Sequence, residues 1–148
     1  MGISFIVWKY ALKWYNICGD FMNANEVNVL VLAYLGDNIY EYYVRKHLIN
    51  TGIANVNDLQ KNAVSYVSAV NQASFLSKMI DSNFFSEDEL WTIKRARNHK
   101  CNSHPKNCDI VTYKHATALE ALIGYLELTN NRDRIEEIMN YILGGKIC

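Results

Sequence analysis

Two acidic residues sit where acids are uncommon. Asp37 follows Gly36 in the apolar run Leu32-Ala33-Tyr34-Leu35-Gly36-Asp37-Asn38-Ile39-Tyr40, and Glu120 lies within Ala118-Leu119-Glu120-Ala121-Leu122-Ile123-Gly124. A carboxylate among such neighbours is seldom left alone; it is paired or it binds a metal. Two carboxylates at one shared site suit Mg2+, which takes hard oxygen ligands and keeps several waters. Such an ion polarises a phosphodiester and lowers the pKa of a water for attack. The competing expectation is that each acid makes an ordinary ion pair, for instance Asp37 with Arg45 or a lysine.

A second constellation is basic. Lys94, Arg95, Arg97, Lys100, Lys106 and Lys114 fall in one stretch with Asp109 as its single acid. A local excess of positive charge attracts phosphates, although cations at a solvated helix end have the same composition. Arg95 and Arg97 are two apart, so they do not share a helix face. One is expected to reach outward while the other pairs within the protein. His99, Cys101, His104 and Cys108 offer four potential zinc ligands, but their spacing matches no established zinc pattern, and a plain loop is the expectation. His115 is expected to pack beside Tyr113 rather than to take part in catalysis.

Elements that would carry these residues follow from periodicity and caps. Glu26 to Ile49 is helical in pattern, with Val27, Leu30, Val31, Tyr34, Leu35, Ile39, Tyr42 and Tyr43 recurring mostly at steps of three and four. Asn57 is read as the N-cap of a helix from Asp58 to about Val67, and Ser65 or Ser68 as a cap or kink after it. A helix from about Ala69 to Ile80 follows. Ser86 and Glu89 form a capping box. Asn98 to Asn107 reads as a polar loop, Ile110 to Leu128 as a long helix, and Arg132 to Leu143 as the last. A glycine such as Gly36 costs ~1 kcal/mol against alanine inside a helix, so it implies close approach of another helix or a ligand. Ala116, Ala118, Ala121 and Gly124 leave equally little bulk around Glu120. Two helices crossing there would bring Asp37 and Glu120 together.

Bulk properties agree with an all-α domain. The 148 residues contain 7 Gly and 1 Pro, too few turn residues for a sandwich or barrel. The formal net charge is zero, so any nucleic-acid affinity must come from local charge. Cys18, Cys101, Cys108 and Cys148 are irregularly spaced, so nothing in them suggests a secreted disulfide framework, and a reducing, cytoplasmic setting is expected. The uncharged run before Lys9 is too short to span a bilayer. It has neither a clear signal-peptide cleavage site nor the myristoylation pattern. Residues 1–21 are therefore read as an extension, with Met22 a sufficient start and 22–148 the folded domain. A short amphipathic helix lying on the domain or on a membrane surface is the other reading of that extension.

Leu32-Ala33-Tyr34-Leu35-Gly36-Asp37-Asn38-Ile39-Tyr40-Glu41 resembles the signature helix of the ribonuclease III family. Thr117-Ala118-Leu119-Glu120-Ala121-Leu122-Ile123-Gly124-Tyr125-Leu126 resembles its second catalytic helix. Lys94-Arg95-Ala96-Arg97-Asn98-His99-Lys100 and Pro105-Lys106-Asn107-Cys108-Asp109, followed by Thr112-Tyr113, resemble the short Mini-ribonuclease III branch, which lacks a double-stranded-RNA-binding domain. The resemblance runs from Val27 to Leu128. It implies a homodimeric helical endoribonuclease for double-stranded RNA, with one metal site per subunit built on Asp37 and Glu120. It further implies action on the precursor of large-subunit (23S) ribosomal RNA, with a large-subunit ribosomal protein as a candidate partner. Arg95, Arg97, Asn98, Lys100, Lys106 and Asn107 are the residues it places against RNA.

Two positions depart from the larger family. Ala33 and Thr117 stand where ordinary ribonuclease III carries further acids, a reduction the mini branch shares, and the number of metal ions stays open. Glu41, one helical turn from Asp37, can contribute through water or pair with Arg45. The missing carboxylates also motivate a rival, a non-catalytic binding protein for structured RNA. A helical interaction module with purely structural acids is a third reading. The tyrosines at 34, 40 and 43 mark either a dimer interface or core.

Overall fold

A computed structural model describes residues 23–100 and 104–144, which form six α-helices and no strand. They are α1 (Val29–Asn50), α2 (Val56–Val67), α3 (Ala69–Asp81), α4 (Glu87–Arg97), α5 (Ile110–Leu128) and α6 (Arg132–Leu143). The expected extension, residues 1–21, lies outside the described residues. No helix among the described residues is long and apolar enough to cross a membrane.

The long helices α1 and α5 cross at the centre and share the most extensive packing. α3 and α4 flank α5, α2 lies along α1, and α6 closes the far side against both central helices. One apolar core runs through the assembly, from Leu32, Tyr40 and Val44 on α1 through Leu119, Leu122 and Ile123 on α5 to Ile138 and Met139 on α6.

Side-chain caps set the helix ends. Asn28 accepts from the Leu30 amide at 2.8 Å, so α1 begins at Val29 and not at Glu26. The cap of α2 is Asn55, which accepts from the Asn57 and Asp58 amides, and not Asn57. Both asparagines have the side chain for the task, and the chain uses the one whose backbone is extended. Ser68 ends α2 in an extended conformation and caps α3. The capping box opens α4 as expected, with the Ser86 amide donating to Glu89 Oε2 at 2.9 Å. Asp109 caps α5 through the Val111 and Thr112 amides, both at 3.0 Å. Gly144 ends α6 at φ 80°, the left-handed region that glycine occupies without strain.

Glu89 shows how a buried carboxylate is neutralised within this fold. It is 5 % exposed, and Arg134 on α6 meets it at 2.8 and 3.1 Å while also donating to the Phe84 carbonyl.

The buried face of α1 differs from the expected one. Val29, Leu32, Ala33, Gly36, Tyr40, Val44 and Leu48 point inward, whereas Leu30, Val31 and Tyr34 face out. The helix is apolar around most of its circumference, so period alone does not choose a face; the small residues Ala33 and Gly36 do. The tyrosines divide accordingly. Tyr40 is fully buried and donates its hydroxyl to the Tyr66 carbonyl at 2.8 Å, so it belongs to the core and not to an interface. Tyr43 is half-buried, and Tyr34 is 84 % exposed.

Candidate active site

The crossing of α1 over α5 is made by two glycines. A Cβ on Gly36 would stand 1.7 Å from the Glu120 carbonyl oxygen, and one on Gly124 would stand 2.0 Å from the Leu32 carbonyl oxygen. No other residue lets the backbones approach so closely. The consequence is chemical: Asp37, next to Gly36, and Glu120, whose own carbonyl faces Gly36, come to one place.

The two acids have different surroundings. Asp37 is exposed at the rim. Its carboxyl is held above the usual range by partial burial and by Glu41, while Arg45 acts in the opposite sense. The ion pair weighed for Asp37 goes instead to Glu41, which binds Arg45 one turn further along. Glu120 lies deeper. Burial and the nearby negative charges of Asp37 and Glu41 push its pKa up to about 7. No lysine or arginine is among the groups acting on it; the Gln72 amide alone favours its charged form.

A carboxylate raised in this way titrates near neutrality, with a consequence for stability. Free of metal, the folded chain keeps the Glu120 proton up to about pH 7, whereas the unfolded chain releases it near 4.5. Between those values the folded state binds more protons, so this group removes stability as pH rises through the window, and its penalty is constant above it. Melting in EDTA is expected to show the wild type losing Tm from pH 4.5 to 7 relative to Glu120→Gln. Parallel Tm curves for the two proteins across that range would contradict the assignment.

The donor set fits a hard divalent ion. Glu120 and Asp37 are oxygen donors that repel one another, and bound positive charge between them would remove the repulsion. Among the described residues no group of three or more His, Cys, Asp or Glu side chains is placed to hold a metal. A pair of carboxylates therefore suits an ion that keeps several of its waters. Ala33 on α1 and Thr117 on α5 are both buried on the helices that cross here. Cys101, one of the four weighed zinc ligands, lies outside the described residues.

Basic residues divide as their spacing requires. Arg95 lies 4.8 Å over the Trp91 ring, and its Nη1 donates to the Asn25 carbonyl, which fastens the segment before α1 to α4. Arg97, Asn98 and Lys100 at the end of α4, and Lys106 and Asn107 before α5, are exposed. His115 bonds the Val111 carbonyl on its own helix at 2.7 Å through Nδ1.

Sequence reasoning passed over Gln72. It is 2 % exposed, and with Leu76 and Met79 it forms the buried stripe of α3. An amide at steps of four and three from apolar residues was the available signal.

The sequence profile of the Ribonuclease III domain matches residues 30–131, a span that contains both acids and the basic loop. A Mini-ribonuclease 3 of Brevibacillus brevis is 50 % identical over 115 residues, which cover 78 % of this chain and 84 % of that one. The chain belongs to the ribonuclease III family. It falls in the Mini-ribonuclease III branch, with a relative of that name in Enterococcus faecalis 42 % identical over 80 % of this chain and 89 % of its own. A crystal structure of a Fusobacterium nucleatum protein superposes with a TM-score of 0.72 at 35 % identity, over 80 % of this chain and 93 % of that one. A ribonuclease III-type chain is an endoribonuclease for double-stranded RNA. That membership selects the enzyme over the non-catalytic RNA binder and over the interaction module.

Proposed function

We propose that this ribonuclease III-family chain cuts duplex RNA with Mg2+ held by Asp37 and Glu120, and that its substrate is the precursor of 23S ribosomal RNA. The observation that carries the metal reading is the glycine crossing, which sets a partly buried, unneutralised carboxylate beside a solvent-facing one. When bound, a divalent ion supplies Lewis-acid polarisation of the phosphodiester and a water of lowered pKa. Glu120 would hold such an ion from the buried side and Asp37 from the solvent-facing side. Burial around Glu120 limits bulk water and strengthens the local field. Glu41, bound to Arg45, keeps its carboxylate one turn away as an acceptor for water.

Arg97, Asn98, Lys100, Lys106 and Asn107 contact the duplex in this reading. A-form RNA is recognised through phosphates and 2′-hydroxyls, which exposed basic and amide side chains meet well. Arg95 contributes by holding α4, and not by direct contact. Duplex binding, measured with cleavage blocked by Asp37→Asn, is expected to weaken steeply with salt. Arg97→Ala, Lys100→Ala and Lys106→Ala should each reduce the slope of log affinity against log salt by about 1. Slopes equal to that of the unaltered loop in all three would remove the loop from the interface.

A homodimer completes the proposal. Leu30, Val31 and Tyr34 expose an apolar strip on the outer side of α1, 46, 55 and 84 % exposed, and a second copy is the proposed cover. A cytoplasmic location and a large-subunit ribosomal protein that presents the RNA belong to the same reading. The test of the function is cleavage of a perfect RNA duplex, dependent on both Mg2+ and Asp37.

A further inference from the structure

We propose that Gln72 is a positioning residue of the metal site, its side-chain amide holding the Glu120 carboxylate in the orientation that binds the ion. The inference rests on the reading of Asp37 and Glu120 as that site.

Gln72 occupies a place where an apolar residue would serve the fold better. Its neighbours on the same stripe are Leu76 and Met79, both at 0 % exposure. Burying an amide without a partner is unfavourable, because the water it bonded in the unfolded chain is not replaced. Yet the Gln72 Nε2 atom is buried and has no hydrogen-bond partner among the described residues. A polar group retained at such a cost has a use elsewhere, and its position says where. α3 packs along α5, which sets the buried Gln72 amide near enough to the Glu120 carboxyl to favour its charged form without a completed hydrogen bond between them.

The chemistry of the surrounding groups narrows the role. Asp37 and Glu41 oppose a charge on Glu120. Tyr40 is close enough to feel that charge, but its hydroxyl is committed to the Tyr66 carbonyl. Gln72 is therefore the donor available to the carboxylate among the groups acting on it. A neutral donor is the suitable kind. A lysine in its place would compete with the ion, whereas an amide fixes one carboxylate oxygen and leaves the full negative charge for the metal. Partners of this sort orient metal ligands, and their loss typically lowers affinity by about 10–100-fold.

The test is Gln72→Met, similar in length and volume but without the amide, examined beside Gln72→Asn, which keeps the amide one methylene short. Mn2+ binding to the RNA-free protein is measured by calorimetry, with Tm recorded in EDTA and the Mg2+ dependence of cleavage measured separately. Both variants are expected to bind Mn2+ about 10–100-fold more weakly. Half-saturating Mg2+ should rise by a similar factor, while turnover at saturating Mg2+ stays within a few-fold. The Tm of Gln72→Met in EDTA should equal or exceed that of the wild type, because a buried orphan amide is gone. Unchanged Mn2+ affinity would overturn the proposal. So would a Gln72→Met protein that melts well below wild type, since that marks the amide as a structural tether. Glu120→Gln separates the two levels of inference. Mn2+ binding that survives Glu120→Gln refutes the metal site itself. Binding lost in Glu120→Gln but intact in Gln72→Met refutes only the role of Gln72.

Discussion

Asp37→Asn is expected to reduce cleavage of a perfect RNA duplex by about a thousandfold or more, equivalent to about 4 kcal/mol of transition-state stabilisation. Folding and duplex binding should be left close to wild type. The substitution keeps shape and removes one charge. At an exposed position such a change usually moves stability by no more than ~0.5 kcal/mol, and here it also relieves the repulsion from Glu41 and Glu120. Binding should hold or tighten slightly, because a negative charge facing phosphate has gone. The loss is therefore confined to chemistry, since an amide oxygen is a weak ligand that cannot balance a divalent charge. Single-turnover assays with enzyme in excess would read the chemical step without product release. A variant that cuts within tenfold of wild type, or wild-type cutting that persists in EDTA, would remove Asp37 and the metal from the mechanism.

Much of this candidate site was legible in the sequence, for reasons that differ by residue. Glu120 stood out because a charge amid Ala118, Leu119, Ala121 and Leu122 is expensive to bury. Gly36 stood out because nothing in helix formation favours it. Together they implied the crossing that the backbone makes. The C-terminal ends of α5 and α6 were readable because Asn130 and Gly144 act locally, through positive φ, whereas the Asp109 cap that opens α5 was not read from the sequence. Tertiary choices were not readable in the same way. The inward face of α1 escaped periodicity because its outward face is apolar as well, with Tyr34 and Val31 in the open. Asn55 and Asn57 differ as caps only in the backbone each is given. Gln72 went unnoticed because a single glutamine on an amphipathic helix looks like surface until the helix packed against it is known. These omissions share one cause: each depends on a neighbouring element remote in sequence, whereas the correct readings depend on neighbours along the chain.

Gly36→Ala is expected to destabilise the domain by about 4 kcal/mol or more, the range in which a single substitution signals a specific structural conflict. In an ordinary helix interior the same change would stabilise by up to ~1 kcal/mol. The sign reverses because the new methyl would stand 1.7 Å from the Glu120 carbonyl oxygen, 2.6 Å from its carbon and 2.8 Å from the Gly124 nitrogen. All three atoms are backbone, so no rotamer change relieves the contact. α1 and α5 must move apart, and Leu32, Tyr40, Leu119 and Ile123 lose packing along both helices. Gly124→Ala should behave alike, its methyl 2.0 Å from the Leu32 carbonyl oxygen. Gly52 is the control. It has φ 86° and nothing within 4 Å of an added Cβ, so Gly52→Ala pays only the left-handed strain, ~1–2 kcal/mol. Urea denaturation of the three variants ranks them directly. Equal losses at Gly36 and Gly52 would mean that the crossing tolerates a methyl. Because the movement also separates Asp37 from Glu120, cleavage by Gly36→Ala should fall further than its folded fraction does. A residual fold with full activity would show that the close crossing is not what assembles the site.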